Sequence, residues 1–114
     1  MKRKNFRYYS GKMYDGMLGR CYRTQDRTYK QYGGKGIRVA ASWISDTNAF
    51  RDWLRSELAR DGFSEDDFVT YRSKFSLDRI DPLGPYTPEN CRLTSLQEQS
   101  RNQIKRKRKL VLSA

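Results

Sequence analysis

The chain has 114 residues, a formal net charge of +11 and a hydrophobic content of 36%. This length suits one domain over residues 1–114 with a small core. The absence of histidine and of a Cys-x-x-Cys pair argues against structural zinc, and no apolar run is long enough for a membrane span or secretory signal. The two separate cysteines fit an intracellular protein.

The positive charge is concentrated at the two ends of the chain. Residues 1–10 contain four basic residues and residues 101–114 contain six, and neither range contains an acid. Two basic ends on a balanced body predict phosphate-binding arms over residues 1–10 and 103–114. Solubility or targeting is the alternative reading. The arm contacts that we expect are Lys2, Arg3, Lys4, Arg7, Arg101, Lys105, Arg106, Lys107, Arg108 and Lys109.

The first predicted helix covers residues 11–23, where apolar residues recur at helical spacing, as is typical of a core face. These residues are Tyr14, Met17, Leu18, Cys21 and Tyr22. Residues 24–36 are polar and turn-rich, and no Ser or Thr follows their lysine as a P-loop requires. We interpret this region as a tight turn that contacts nucleic acid. The alternation of Ile37, Val39 and Ala41 after it predicts a short strand. The contacting residues would be Lys30, Lys35 and Arg38.

The second predicted helix covers residues 46–58, with Ser45 or Asp46 as its cap. Its predicted core face contains Phe50, Trp53, Leu54 and Leu58, and its predicted solvated face contains Arg51, Asp52, Arg55 and Glu57. Three consecutive acids follow at positions 65–67. Their position favours a solvated loop or the start of a helix over a metal site.

Residues 75–102 predict two strands, a stiff loop and a helix. Phe75, Leu77 and Ile80 are the apolar residues of the first strand, and residues 91–93 fit the second. Prolines and a glycine stiffen the loop between them, which ends at Asn90. Thr94 or Ser95 would cap the helix, because Ser95 and Glu98 have the spacing of a capping box. The predicted fold class is therefore α+β, with a ββα unit in the C-terminal half and helices around it.

The predicted third helix has amides in the middle of its inward stripe. Gln99 and Ser100 occupy positions where a packing helix would carry apolar groups, and Asp78 is expected nearby. Converging amides and carboxylates suit a hard cation such as Mg²⁺. The alternative is that Gln99 and Asn102 only hold the loop by hydrogen bonds.

The motifs LDRID, PENCR and SLQEQSRN, with YGGKGIRV and a tryptophan before them, resemble the small phage-borne and homing-type members of the His-Asn-His (HNH) endonucleases. The resemblance implies a ββα-metal unit that holds one divalent ion, Mg²⁺ or Mn²⁺. By position, Asp78 matches the acidic metal ligand and Asn90 the asparagine that braces the loop. Gln99 or Asn102 matches the ligand on the helix.

The position of the family's catalytic histidine is occupied here by Arg79. Arginine stays protonated, so it cannot accept a proton from the attacking water, although it can contact the scissile phosphate. The metal or a carboxylate such as Asp81 would then activate water. Arg92, on the second strand, is a further expected contact with nucleic acid.

These observations lead to three hypotheses. The first is a metal-dependent endonuclease that nicks DNA, acting as a monomer on duplex DNA inside a phage-infected bacterial cell. The second is a catalytically inactive HNH-like protein that binds DNA or RNA. The third is a phage-encoded factor whose basic ends bind an acidic partner protein.

Overall fold

The computed structural model describes residues 4–95, which form an α+β fold and confirm that class for this part of the chain. The α-helices are α1 (Phe6–Tyr22), α2 (Ala41–Ser45), α3 (Thr47–Arg60) and α4 (Glu65–Thr70). Short 3₁₀ helices cover Tyr29–Gln31, Gly33–Lys35 and Arg72–Lys74. The strands are β1 (Phe75–Arg79) and β2 (Cys91–Ser95). The helix predicted after β2 lies outside the described residues.

Helix α1 begins five residues earlier than the apolar stripe predicted. The Asn5 side chain accepts a hydrogen bond from the Tyr8 backbone N–H at 3.2 Å, which caps the helix. Phe6 is buried and its ring contacts that of Phe68, with the centroids 5.7 Å apart. Residues 6–10, which we assigned to a basic arm, are therefore part of this helix, although Arg7 remains exposed.

The hydrophobic core of residues 4–95 includes buried side chains of all four α-helices and both strands. Met17, Trp43 and Phe50 are almost fully buried, and the Trp43 and Phe50 rings meet edge to face at 5.0 Å. The Tyr14 hydroxyl donates to the Trp43 carbonyl at 2.6 Å, so the polar end of this buried tyrosine is satisfied. The predicted core face of the first helix is confirmed at Tyr14, Met17 and Cys21. Tyr22 is instead 41% exposed.

The strand predicted at Ile37, Val39 and Ala41 is wrong. Val39 forms a single parallel bridge with Tyr86, and α2 begins at Ala41. The alternation arises because Ile37 and Val39 are buried and Arg38 is exposed. Backbone hydrogen bonds from the Ala40 N–H to the Tyr86 carbonyl (2.8 Å) and from the Tyr86 N–H to the Arg38 carbonyl (2.9 Å) fix this segment against the loop before β2.

Helix α3 is capped by Asp46, whose side chain accepts from the Asn48 backbone N–H at 2.9 Å, in agreement with one of the two predicted caps. The prediction of its solvated face is wrong at two positions, because Arg51 and Glu57 are each only 8% exposed. Each has polar partners on another element, and these hydrogen bonds offset the free-energy cost of burying a charged side chain.

Arg51 joins α3 to α1. Its Nε donates to the Ser10 hydroxyl at 3.0 Å and one terminal nitrogen donates to the Arg7 carbonyl at 3.2 Å. Glu57 joins α3 to β2, because its Oε1 accepts from the Leu93 backbone N–H at 3.0 Å. Both contacts link residues that are far apart in the sequence, so helical periodicity could not predict them.

Helix α4 begins at the acidic cluster, as one of the two predicted readings had it. Ser64 and Asp67 form a capping box, in which each side chain accepts from the other residue's backbone N–H at 3.0 Å and 2.8 Å. Glu65, Asp66 and Asp67 therefore lie in the first turn, where negative charge favours a helix.

The two strands pair antiparallel, with Leu77 opposite Leu93 and Asp78 opposite Arg92. Strand β2 continues to Ser95, so both residues that we predicted as alternative helix caps, Thr94 and Ser95, belong to the strand. Ile80 was predicted as an apolar residue of the first strand, but it follows β1 and is 59% exposed. None of the helices in residues 4–95 combines the length and the apolar character needed to span a bilayer.

Candidate nucleic-acid interface

The end of the sheet places the carboxylate of Asp78 among hydroxyl groups. Ser76, two residues earlier on β1, donates to Oδ1 of Asp78 at 2.8 Å. Thr94, on β2, donates to Oδ2 at 2.7 Å. Both oxygens of this half-buried carboxylate are thus held in a fixed orientation by neutral donors.

Asp78 fits a divalent cation in the type of its ligand atoms. A carboxylate has about four lone-pair sites, so the two hydroxyl donors leave acceptor capacity on both oxygens. Within residues 4–95, however, no three His, Cys, Asp or Glu side chains gather in a group that could hold a metal ion. The other predicted ligands, Gln99 and Asn102, lie outside the described residues. The described residues therefore include one of the three predicted ligand residues, Asp78.

Arg79 follows Asp78 and is held against two aromatic rings. Its guanidinium carbon lies 5.0 Å from the ring centroids of both Tyr32 and Tyr86. One terminal nitrogen donates to the Gly84 carbonyl at 2.9 Å. Arg79 therefore links β1 to the loop and to the segment around Tyr32, with most of its N–H groups still available for an anion.

Asn90 braces the loop between the strands, as the sequence predicted. Its Oδ1 accepts from the Asp81 backbone N–H at 2.9 Å, and its Nδ2 donates to the carbonyls of Asp81 (3.1 Å) and Pro85 (2.8 Å). A Cβ atom at Gly84 would lie 2.7 Å from that Nδ2, so the brace requires glycine there. The loop geometry therefore depends on a side chain at its end.

Asp81, the predicted alternative base, is exposed and faces its own loop. Its Oδ1 accepts from the Leu83 backbone N–H at 3.0 Å, and its carbonyl accepts from the Gly84 N–H at 3.0 Å. These contacts form a turn that sets the direction of the loop. No hydrogen bond or ion pair in the described residues joins Asp81 to Asp78 or Arg79.

The predicted basic contacts that the structure describes are all at least partly exposed: Lys4, Arg7, Lys30, Lys35, Arg38 and Arg92. Arg38 is partly engaged, since one nitrogen donates to the carbonyls of Gly33 (3.2 Å) and Ile37 (3.1 Å). Arg92 lies opposite Asp78 in the sheet register. The other predicted contacts lie outside the described residues, namely Lys2, Arg3, Arg101, Lys105, Arg106, Lys107, Arg108 and Lys109.

Sequence reasoning missed three residues beside Arg79. The Arg20 Nε, on α1, donates to the Tyr86 hydroxyl at 3.1 Å, and its guanidinium lies 5.5 Å and 5.6 Å from the rings of Tyr32 and Tyr86. The two rings are stacked with centroids 6.3 Å apart. Burial raises the pKa of Tyr86, and the hydrogen bond from Arg20 opposes that shift.

The close packing of the glycine-rich turn places Tyr32 in this group. A Cβ atom at Gly33 would collide with the Cys21 carbonyl and the Tyr29 ring, so only glycine lets the turn approach the end of α1. The sequence signal was the pair of glycines directly after Tyr32. It identified a tight turn but not the partner of that turn.

Comparisons with family models, with curated proteins and with solved structures found no match to this chain.

Proposed function

We propose that the protein binds duplex DNA and nicks it in the presence of Mg²⁺ or Mn²⁺, as an HNH-like endonuclease. The observation that carries the proposal is the arrangement of residues 78–92. Asp78 has an oriented carboxylate, Arg79 follows it in β1, and Arg92 lies opposite it in the sheet register; both arginines can contact phosphate. Asn90 holds the loop that joins the strands.

In this proposal Asp78 would hold the divalent ion together with Gln99 or Asn102. When bound, the ion would stabilise negative charge at the phosphate and make a water molecule more acidic. Arg79 would donate hydrogen bonds to the scissile phosphate and stabilise charge in the transition state. Asn90 would keep the loop, and with it Asp81, in a fixed position.

The experiment is incubation of supercoiled plasmid with the protein in Mg²⁺, Mn²⁺ or EDTA, with DNA binding measured in parallel. Asp78→Asn preserves the size of the side chain and one acceptor, and we expect it to abolish metal-dependent nicking while leaving binding nearly intact. Glu89→Gln is the matched control, because it removes an exposed acid from the same loop. Equal nicking by Asp78→Asn and wild type would contradict the proposed role of Asp78.

Arg79→His tests the unusual residue directly. Imidazole can accept a proton near neutral pH and guanidinium cannot, so we expect nicking to persist or to rise in this variant. General-base assistance is typically worth about 10²–10⁴ in rate, which sets the range of the increase.

Binding without cleavage is the second candidate, and a specific observation favours it. Both oxygens of Asp78 accept hydroxyl hydrogen bonds, and Arg79 is engaged with two rings and a carbonyl. These contacts are all made within the protein. Among the described residues, Asp78 is the one predicted metal ligand with a negative charge. Salt-dependent DNA binding by wild type without nicking in either metal would select this candidate.

A further inference from the structure

Two open clefts in the described part of the chain share four of their lining residues, and we call the pair together the groove. The first, of about 380 Å³, has Lys12 and Arg20 on the α1 side. The second, of about 260 Å³, has Arg79 and Arg92 on the sheet side. The walls common to both are Tyr32, Leu77, Asp78 and Tyr86. The groove, defined by these residues, therefore runs from α1 across the face of β1.

Cations dominate the charge of this groove. Four basic side chains line it, and Asp78 is the one acid among its lining residues. Ion pairs in the described part of the chain include Arg23–Asp15, Arg55–Asp52, Arg55–Glu65 and Arg60–Glu57. None of these pairs involves a groove residue. Lys12 and Arg20 interact electrostatically with Asp15 and Asp26 outside the groove, so nearby acids offset part of the positive charge of the groove and not all of it. Another cleft differs, because its lysine, Lys4, faces Glu65 and Asp66.

The two central arginines are oriented before any ligand arrives. Arg20 and Arg79 both lie against the Tyr32–Tyr86 ring pair, and each uses one N–H group in a hydrogen bond to the protein. A guanidinium has five N–H groups, so both retain donors for an anion. Arginines held in this way lose less conformational entropy when a ligand binds. Their remaining N–H donors match the geometry of a planar or tetrahedral oxyanion such as phosphate.

The sequence after β2 is poor in acids that could occupy this groove. Residues 96–114 contain one acid, Glu98, and six basic residues. An anionic occupant is therefore best supplied by another molecule. A polyanion that also contacts the basic ends of the chain satisfies both features.

We propose that the groove is a phosphate-binding channel for the DNA backbone, in which Lys12 and Arg20 contact phosphates beyond the one that faces Arg79 and Arg92. Neither Lys12 nor Arg20 belongs to the motif of residues 78–102. This inference rests on the proposed DNA binding, and it assigns to α1 a part in the interface.

The test measures affinity for a labelled duplex from low to high salt in wild type, Lys12→Gln, Arg20→Gln and the double variant. The salt slope is the slope of the logarithm of the affinity against the logarithm of the salt concentration. Removing one phosphate-binding cation should weaken binding roughly tenfold and reduce the magnitude of this slope by about one. Arg27→Gln is the matched control, since Arg27 is an exposed arginine that lines neither cleft. It should retain the wild-type slope.

Arg20 also bonds Tyr86, so the variants are first compared by thermal melting. Lys12 is exposed and its ammonium lies 5.5 Å from the Tyr8 ring, so Lys12→Gln tests the groove with little cost to the fold. Arg20→Lys should keep the salt slope, because it keeps the charge.

The possible failures can be told apart. If wild type shows no salt-dependent binding to duplex DNA, the proposed function fails and the channel with it. If wild type binds but Lys12→Gln and Arg20→Gln match Arg27→Gln, the channel is wrong and DNA binding through other surfaces stands.

Discussion

At the scale of single residues, Asn90 decides the shape of the loop between the strands. Three hydrogen bonds from one side chain satisfy backbone groups of Asp81 and Pro85. The loop carries Asp81 and receives the hydrogen bond of Arg79 through Gly84. A substitution at Asn90 would therefore alter the candidate nucleic-acid interface as well as the loop.

We expect Asn90→Ala to lower the free energy of unfolding by about 1–3 kcal/mol, since the backbone groups lose their partners near the surface, where water replaces them in part. Urea denaturation measures the change. Glu89→Ala, at the exposed neighbouring position, should stay near wild type. Equal stability of Asn90→Ala and Glu89→Ala would show that the loop does not need its brace.

Cys91 provides a prediction about pH. Burial raises the pKa of its thiol from 9.0 to about 11. Between these values the unfolded chain loses the proton and the folded chain keeps it. The contribution of Cys91 to stability is therefore complete below pH 9 and falls by up to about 1.4 kcal/mol per pH unit towards pH 11.

The measurement is urea denaturation at pH 8, 9.5 and 11 for wild type and Cys91→Ala. The variant should lose less stability over this range than wild type does. Parallel losses in the two proteins would show that other groups, such as Tyr86 and Cys21, account for the alkaline decline.

At the scale of secondary-structure elements, buried polar contacts set how α1 and β2 lie on α3. Arg51 reaches α1 and Glu57 reaches β2 from the same helix. Apolar packing tolerates small shifts between elements, whereas these hydrogen bonds hold only in one register. The helix thus positions both sides of the proposed channel, because Lys12 and Arg20 lie on α1 and Arg92 lies on β2.

The Ser10–Arg51 contact can be measured by a double-mutant cycle. Ser10→Ala leaves a buried guanidinium N–H without its 3.0 Å acceptor, and we expect a loss of about 1–2 kcal/mol in the free energy of unfolding. In an Arg51→Met background the same change should cost clearly less, because Ser10 then has only its hydrogen bond to the Arg7 carbonyl to lose. Ser45→Ala, at an exposed serine, is the control. Equal costs in both backgrounds would mean that the two residues are not coupled.

At the scale of the whole molecule, charge is distributed in three basic regions. The groove holds four cations against Asp78, and the two ends of the chain contain basic residues without acids. If DNA contacts the groove and the C-terminal run together, the salt slope of the complete protein will exceed the part due to either region alone.

Deletion of residues 105–109 tests the contribution of the C-terminal run. We expect weaker binding to all duplex sequences alike and a salt slope reduced by up to about 4.5, since each of the five cations can displace counterions from DNA. Deletion of residues 110–114 removes the same number of residues without a charged side chain and serves as the control. Equal salt slopes for the two deletions would contradict the predicted arm.

Local interactions account for what the sequence by itself determined. The cap at Asp46, the core face of α3 and the start of α4 at the acids of positions 65–67 depend on residues a few positions apart. Spacing along the chain is enough to predict such features. The α+β class followed from them, as did the order of groups from Asp78 to Arg92.

Only the tertiary structure decided which distant residues meet. Arg20 bonds Tyr86 across 66 positions, and Arg51 bonds Ser10 across 41. Periodicity assigned Arg51 and Glu57 to solvent because it records the pattern of one helix and not the polar partners that another element brings. The Tyr32–Tyr86 ring pair likewise exists only because Gly33 lets a turn pack on α1 while the Asn90 loop returns to meet it. The groove is made by that convergence, so no single stretch of the sequence could reveal it.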